Sequence, residues 1–198
     1  MGIFTLGTLT TSPVSARPEL LAPSTLRMLQ GLDITGEVGV VEIDAELSDT
    51  AETHTAYGLE VRTLANCVIV AGSRAGEERI AACLVPAHTR ADVNSIVRRR
   101  LDVRKASFLA REIAVDATGM EFGGITPIGL PAPWPVLIDS TILETPLVII
   151  GSGVRRSKLI VPGALLARIP GAEIIEGLGK VTAGGAASRS AASVPRTP

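Results

Sequence analysis

Apolar residues fall along the chain in short runs broken by Gly, Pro or charged clusters. The runs "EVGVVEID" (37–44), "PVLID" (135–139), "PLVIIGSG" (146–153), "SKLIV" (157–161) and "AEIIE" (172–176) are rich in Val and Ile. Runs of that length and composition predict strands. Residues 66–72 and 79–86 flank the turn "SRAGEE" and predict a hairpin, and "DVRKASF" (102–108) predicts a further strand. Helical signals alternate with these. Ser24 is a candidate cap for a helix to Gln30, and Asp49 with Glu52 makes a capping box over "SDTAETHTAYG", stopped by Gly58. Thr89 is the expected cap of "RADVNSIVRRRL", where Val93, Ile96, Val97 and Leu101 share one face. "AREIAVDATG" predicts a helix closed by Gly119, and Pro162 opens a short one, "PGALLARI".

Strands and helices intermix without a βαβ rhythm or a fixed-period repeat, so the pattern predicts one mixed α/β domain. Residues 1–23 are Thr-, Ser- and Pro-rich and are expected to be irregular. Residues 182–198, "TAGGAASRSAASVPRTP", hold too little apolar content to fold and are expected to be a disordered tail.

Composition adjusts this picture in three ways. With 198 residues and 46% apolar content the chain can bury a real core, but at 3% aromatics that core is built from aliphatic side chains. The formal charge is −1, so nucleic-acid affinity needs a local basic patch rather than a net excess. No apolar run approaches the ~20 residues of a membrane span. The start "MGIFTLGTLTTSPVSA" lacks the basic region of a signal peptide, and Leu6 breaks the myristoylation pattern, which leaves a cytoplasmic location as the expectation.

Conventional chemistry is scarce. Cys67 and Cys83 lie in apolar runs on either side of the hairpin turn, where they are expected to face each other as buried thiols. His54 and His88 fall in or beside predicted helices, no ligand spacing is present, and neither metal nor cofactor is expected. What stands out is "TGMEFGGITPIGLP" (118–131). Gly123 and Gly124 bare the backbone, while Pro127 holds Thr126 extended, giving a loop whose main-chain groups can approach a ligand. Such a loop can donate N–H groups to a carbonyl oxygen gaining charge during acyl transfer; the plain alternative is a strand-connecting turn.

"TGMEFGGITPIG", followed by "WPVLID" and "VIIGSGVRRSKL", resembles the signature of the YbaK/EbsC family of aminoacyl-tRNA deacylases, related to the editing domain of bacterial prolyl-tRNA synthetase. The likeness covers roughly residues 38–178. It implies a single domain with a mixed, barrel-like sheet flanked by helices, an N-terminal extension over 1–37, the editing domain over 38–181, and the tail over 182–198. It also implies hydrolysis of the ester of a mischarged tRNA by water, with no attacking side chain. On that reading Gly123 lines the pocket as the loop glycine. Gly124, Ile125, Thr126, Pro127, Asp139, Gly151, Ser152 and Gly153 hold substrate, and Arg155, Arg156 and Lys158 contact tRNA.

One position departs from the family. A lysine is expected where "LANCVIV" has Asn66, which can hydrogen-bond but carries no charge. Either another cation replaces it, with Lys158 and Arg155 the candidates, or the substrate differs, or hydrolysis is lost. Asn66 therefore joins Gly123 as a candidate catalytic position. The competing readings are a non-catalytic tRNA-binding relative and a partner of an aminoacyl-tRNA synthetase. "RRRLDVRK" (98–105) is either a phosphate patch or the solvated end of a helix. Asp139 either orients the pocket or caps the next turn, and Trp134 either covers the loop or stacks an adenine.

Overall fold

The structure is a computed structural model and describes residues 2–181; the tail expected over 182–198 lies outside the described residues. In chain order, β1 (Thr5–Leu6), β2 (Leu9–Thr10) and β3 (Ser12–Pro13) precede helix α1 (Pro23–Gly31) and β4 (Gly39–Glu42). Helix α2 (Thr50–Ala56) leads into the hairpin of β5 (Ala65–Arg74) and β6 (Glu77–Pro86), then β7 (Thr89–Ala91). A π-helical turn, Val93–Val97, runs into the short α3 (Arg98–Arg100), followed by β8 (Ala106–Phe108) and α4 (Arg111–Thr118). Then come β9 (Val136–Asp139), α5 (Ser140–Leu143), β10 (Val148–Gly151), β11 (Ser157–Val161), β12 (Ala172–Ile175) and β13 (Gly179–Val181).

Two sheets carry this mixed α/β domain. One has the order β12-β9-β6-β5-β8, with parallel pairings at β9 and antiparallel ones along the hairpin. The other, β10-β11-β4-β3, is antiparallel throughout. They approach where Leu64 bridges Ile149. The main core fills the space between them, with Ile69, Leu84 and Ile138 of the first sheet facing Val148, Ile150 and Leu159 of the second. The outer face of the first sheet is covered by Val93, Val97 and Leu101, and that of the second by Leu9, Leu59 and Tyr57. Strands β9, β10 and β11 are therefore buried on both faces. That is why β9, β10 and β11 read as continuous apolar runs without alternation. Each fully buried Leu or Ile contributes about 1.5–3 kcal/mol.

The structure corrects several local expectations. The first 23 residues are not irregular throughout: β3 extends the second sheet and Val14 and Leu20 are fully buried in the main core. Thr89 does not cap a helix. It begins β7, whose partner β13 lies almost ninety residues away, and the cap is Asp92, whose carboxylate accepts from the Ser95 amide at 3.1 Å. A local pattern cannot register that distant pairing. Helix α1 starts with Pro23 rather than at a Ser24 cap. Cys67 and Cys83 do not face each other: Cys67 is opposite Leu84 and Cys83 opposite Val68. The register offset of one residue sends the two thiols to opposite faces of the sheet and into different clusters. Burial pushes the Cys83 thiol up to about 12, and the Cys67 thiol is raised as well, chiefly by burial.

Candidate active site

The loop that dominated the sequence is docked on β10 through its backbone. Thr118 bonds back to the Ala114 carbonyl at 2.7 Å and accepts from the Met120 amide, ending α4. The chain then turns so that the Gly124 amide donates to Glu121 at 2.9 Å. The Glu121 amide donates to Gly153, and the Gly153 amide returns a bond to Gly124 at 2.7 Å. The Glu121 carboxylate accepts from the Arg155 amide at 2.6 Å. Gly123 sits at φ +82, a left-handed conformation costly for other residues. A Cβ on Gly151 would lie 2.2 Å from the Gly124 oxygen, so the two backbones meet only because no side chain intervenes.

This docking leaves a cleft of about 440 Å³ between the loop, the start of α2 and one edge of β5. Strand β8 pairs with β5 only at Val70–Gly72, so the edge at Asn66–Val68 borders the cleft instead of another strand. Ser48, Asp49 and Thr50 line one side; Phe122, Gly123 and Ile125 line another; Gly151 and Lys158 close the floor.

Lys158 is the cation of this cleft. It lies on β11 directly opposite Gly151, and its residue is only 8% exposed. The ammonium donates to the Ser48 carbonyl at 2.8 Å and to the Gly123 carbonyl at 3.3 Å, tying the turn before α2 to the loop. Burial lowers its pKa to about 8, with Asp49 opposing that shift and Arg155 adding to it. Asn66 sits in the same cleft, accepting from the Thr50 hydroxyl at 2.6 Å. The Ser48 hydroxyl is buried without a partner among the described residues.

The other expected site residues divide between the cleft and its supports. Gly124, Thr126 and Pro127 are buried behind the loop, and the Thr126 hydroxyl is partnerless among the described residues. Ser152 is buried in a network with the Ser157 hydroxyl at 2.7 Å, and Gly153 packs against Ala22. Arg155 lies over Gly123 and donates to the carbonyls of Phe122 and Ala45 at 3.4 and 3.1 Å, while the exposed Arg156 donates to Glu19. Asp139 stands away from the cleft. Its carboxylate accepts from Thr141 and, at 2.7 Å, from the Gly179 amide, so it caps α5 and pins the chain at β13. Ser48, Asp49, Thr50 and Phe122 also line the cleft, and none of them was expected in the site from the sequence. For the first three the signal was present, since all lie at the start of helix α2, although the capping box expected there does not form: the Asp49 side chain makes no cap hydrogen bond.

The comparisons with known proteins bear on the family and the fold. Residues 44–169 match the aminoacyl-tRNA editing domain. The chain belongs to that family. Among solved structures, a protein described as a candidate trans-editing enzyme for prolyl tRNA synthetase superposes with a TM-score of 0.66 at 24% identity, over 79% of this chain and 97% of that one. A scaffold used for epitope backbone grafting gives 0.65 at 24% identity, with the same coverages. A crystal structure of a hypothetical protein gives 0.68 at 19% identity, over 79% of this chain and 99% of its own. At such identities these likenesses establish the fold of the editing domain and nothing finer. No curated protein matches the chain. Among the described residues of this editing domain, no helix is long and apolar enough to cross a membrane, and no cluster of three metal-ligating side chains occurs.

Proposed function

We propose that the chain is a trans-acting aminoacyl-tRNA deacylase whose cleft cation has moved from the β5 edge to Lys158. The observation that carries this reading is the convergence of Lys158, Asn66 and the Gly123 loop on one cleft. A water attacks the ester carbonyl, the new C–O bond forms as the bond to the ribose oxygen breaks, and that oxygen takes a proton. No side chain need act as nucleophile. The ammonium fixes the Gly123 carbonyl and supplies positive charge where an oxyanion or a terminal phosphate would lie. Asp139, placed as a cap, supports the frame of the site and not the substrate. Arg155 acts through the loop it braces, and of the three basic residues expected to contact tRNA, Arg156 is the one left exposed.

The test is a panel of tRNAs charged with small wrong amino acids. Release above the buffer rate from at least one member is expected; none from any member sinks the enzymatic reading. A non-catalytic tRNA-binding relative is the second reading, and the neutral Thr50–Asn66 pair at the family lysine's place favours it. That reading expects tRNA binding by titration with no turnover.

Asn66→Lys separates the two. If Lys158 already serves, a second ammonium in the same low-dielectric cleft repels it, and kcat/KM is expected to fall about tenfold, close to one pKa unit of interaction. A gain in hydrolysis would instead identify a decayed site.

A further inference from the structure

We infer that Phe122 and Arg111 form a subsite for the terminal nucleotide of the substrate, with the adenine base on the ring and its 5′-phosphate at the guanidinium. This rests on the deacylase reading, because it is the 3′-terminal adenosine of tRNA that would carry the ester. Phe122 is one of three phenylalanines in the chain, and it is not used for the core: its residue is 41% exposed at the mouth of the cleft. At that place the ring offers apolar surface that a stacked base would take out of water.

The ring is also held in place. Its own carbonyl accepts from Arg155, the turn that carries it is closed by the Gly124–Glu121 bond, and the Arg111 guanidinium stacks 3.9 Å from the ring centroid. A guanidinium on an aromatic ring fixes the orientation of both and makes a flat platform of the kind on which bases stack. No carboxylate pairs with Arg111 among the described residues, so its charge is available to a phosphate. Phe122 adjoins Gly123, whose carbonyl Lys158 holds, so a base resting on the ring delivers its ribose to the cleft.

The experiment is a titration of the full chain with AMP and with adenosine, followed by NMR, for wild type, Phe122→Leu, Phe122→Tyr and Arg111→Gln. Phe122→Leu is expected to weaken both ligands on the order of tenfold to a hundredfold, as loss of one stacked base does. Phe122→Tyr should retain both, and Arg111→Gln should weaken AMP while leaving adenosine nearly unchanged. AMP affinity unchanged in Phe122→Leu, or no AMP binding to wild type at millimolar concentration, overturns the subsite. If Phe122→Leu melts early, the Arg111→Gln contrast between AMP and adenosine decides. Binding needs no hydrolysis, so a chain that turns over no tRNA can still pass this test, and an active deacylase can still fail it.

Discussion

Lys158→Met is expected to lower deacylation by about a hundredfold or more, the usual loss when one preorganised electrostatic group is removed. Methionine preserves volume in a site that is nearly closed, so the loss reads charge and not packing. Stability should change little, because two opposing effects meet. The variant relieves the cost of a buried ammonium, yet strands the Ser48 and Gly123 carbonyls at about 1–3 kcal/mol each if they stay dry. Adding Asn66→Lys to Lys158→Met returns a cation to the cleft from the other side. Partial recovery of kcat/KM is the expected result, and a double variant as dead as the single one would show that position matters as well as charge.

The same residue sets a pH dependence with opposite signs for activity and stability. Burial brings the folded pKa of Lys158 to about 8, below the ordinary value of 10.5. Below pH 8 both folded and unfolded chains hold the proton, and the folded state bears the cost of the buried charge. Between about 8 and 10.5 the unfolded chain binds more protons, so the contribution of this group to stability rises with pH. Activity that needs the ammonium runs the other way. After division by the uncatalysed rate, kcat/KM of the wild type should decline above about pH 8, while the Lys158→Met profile stays flat. A wild-type profile without that limb would remove Lys158 from the chemistry.

The second large effect is expected from Gly151→Ala. The new Cβ would meet the Gly124 oxygen at 2.2 Å and the Ile125 oxygen at 2.6 Å, and both obstacles are backbone. The loop must lift, breaking the Gly153–Gly124 bond and moving the Gly123 carbonyl away from Lys158. Overpacking together with a lost hydrogen bond costs about 2–4 kcal/mol. A lower midpoint in urea and near-complete loss of turnover should appear together. Wild-type activity in Gly151→Ala would mean that the docking of the loop on β10 is not what shapes the cleft.

These predictions depend unequally on what the chain alone makes legible. Its apolar runs placed the hairpin and β9, β10 and β11, because strand length and Val/Ile content are local properties. Its Gly-Gly-Ile-Thr-Pro stretch marked the loop, because a backbone that must lie against another backbone excludes side chains wherever the partner is. Asp139 and Lys158 were harder. Each is a polar residue at an end of an apolar strand, and nothing nearby in sequence says whether it meets solvent, substrate or another strand. Asp139 meets the Gly179 amide forty residues on, and Lys158 meets Ser48 more than a hundred residues back.

The sequence by itself thus determined the central strands, that a bare loop leads from a helix into one of them, and that the family's usual charge is missing at Asn66. Only the tertiary structure decided that the offset hairpin register separates Cys67 from Cys83, that β7 and not a helix follows Thr89, and that Lys158 enters the cleft opposite Asn66. Registry, distant pairing and the burial of a charge are settled by what packs against a residue, and that is fixed by contacts across the whole chain.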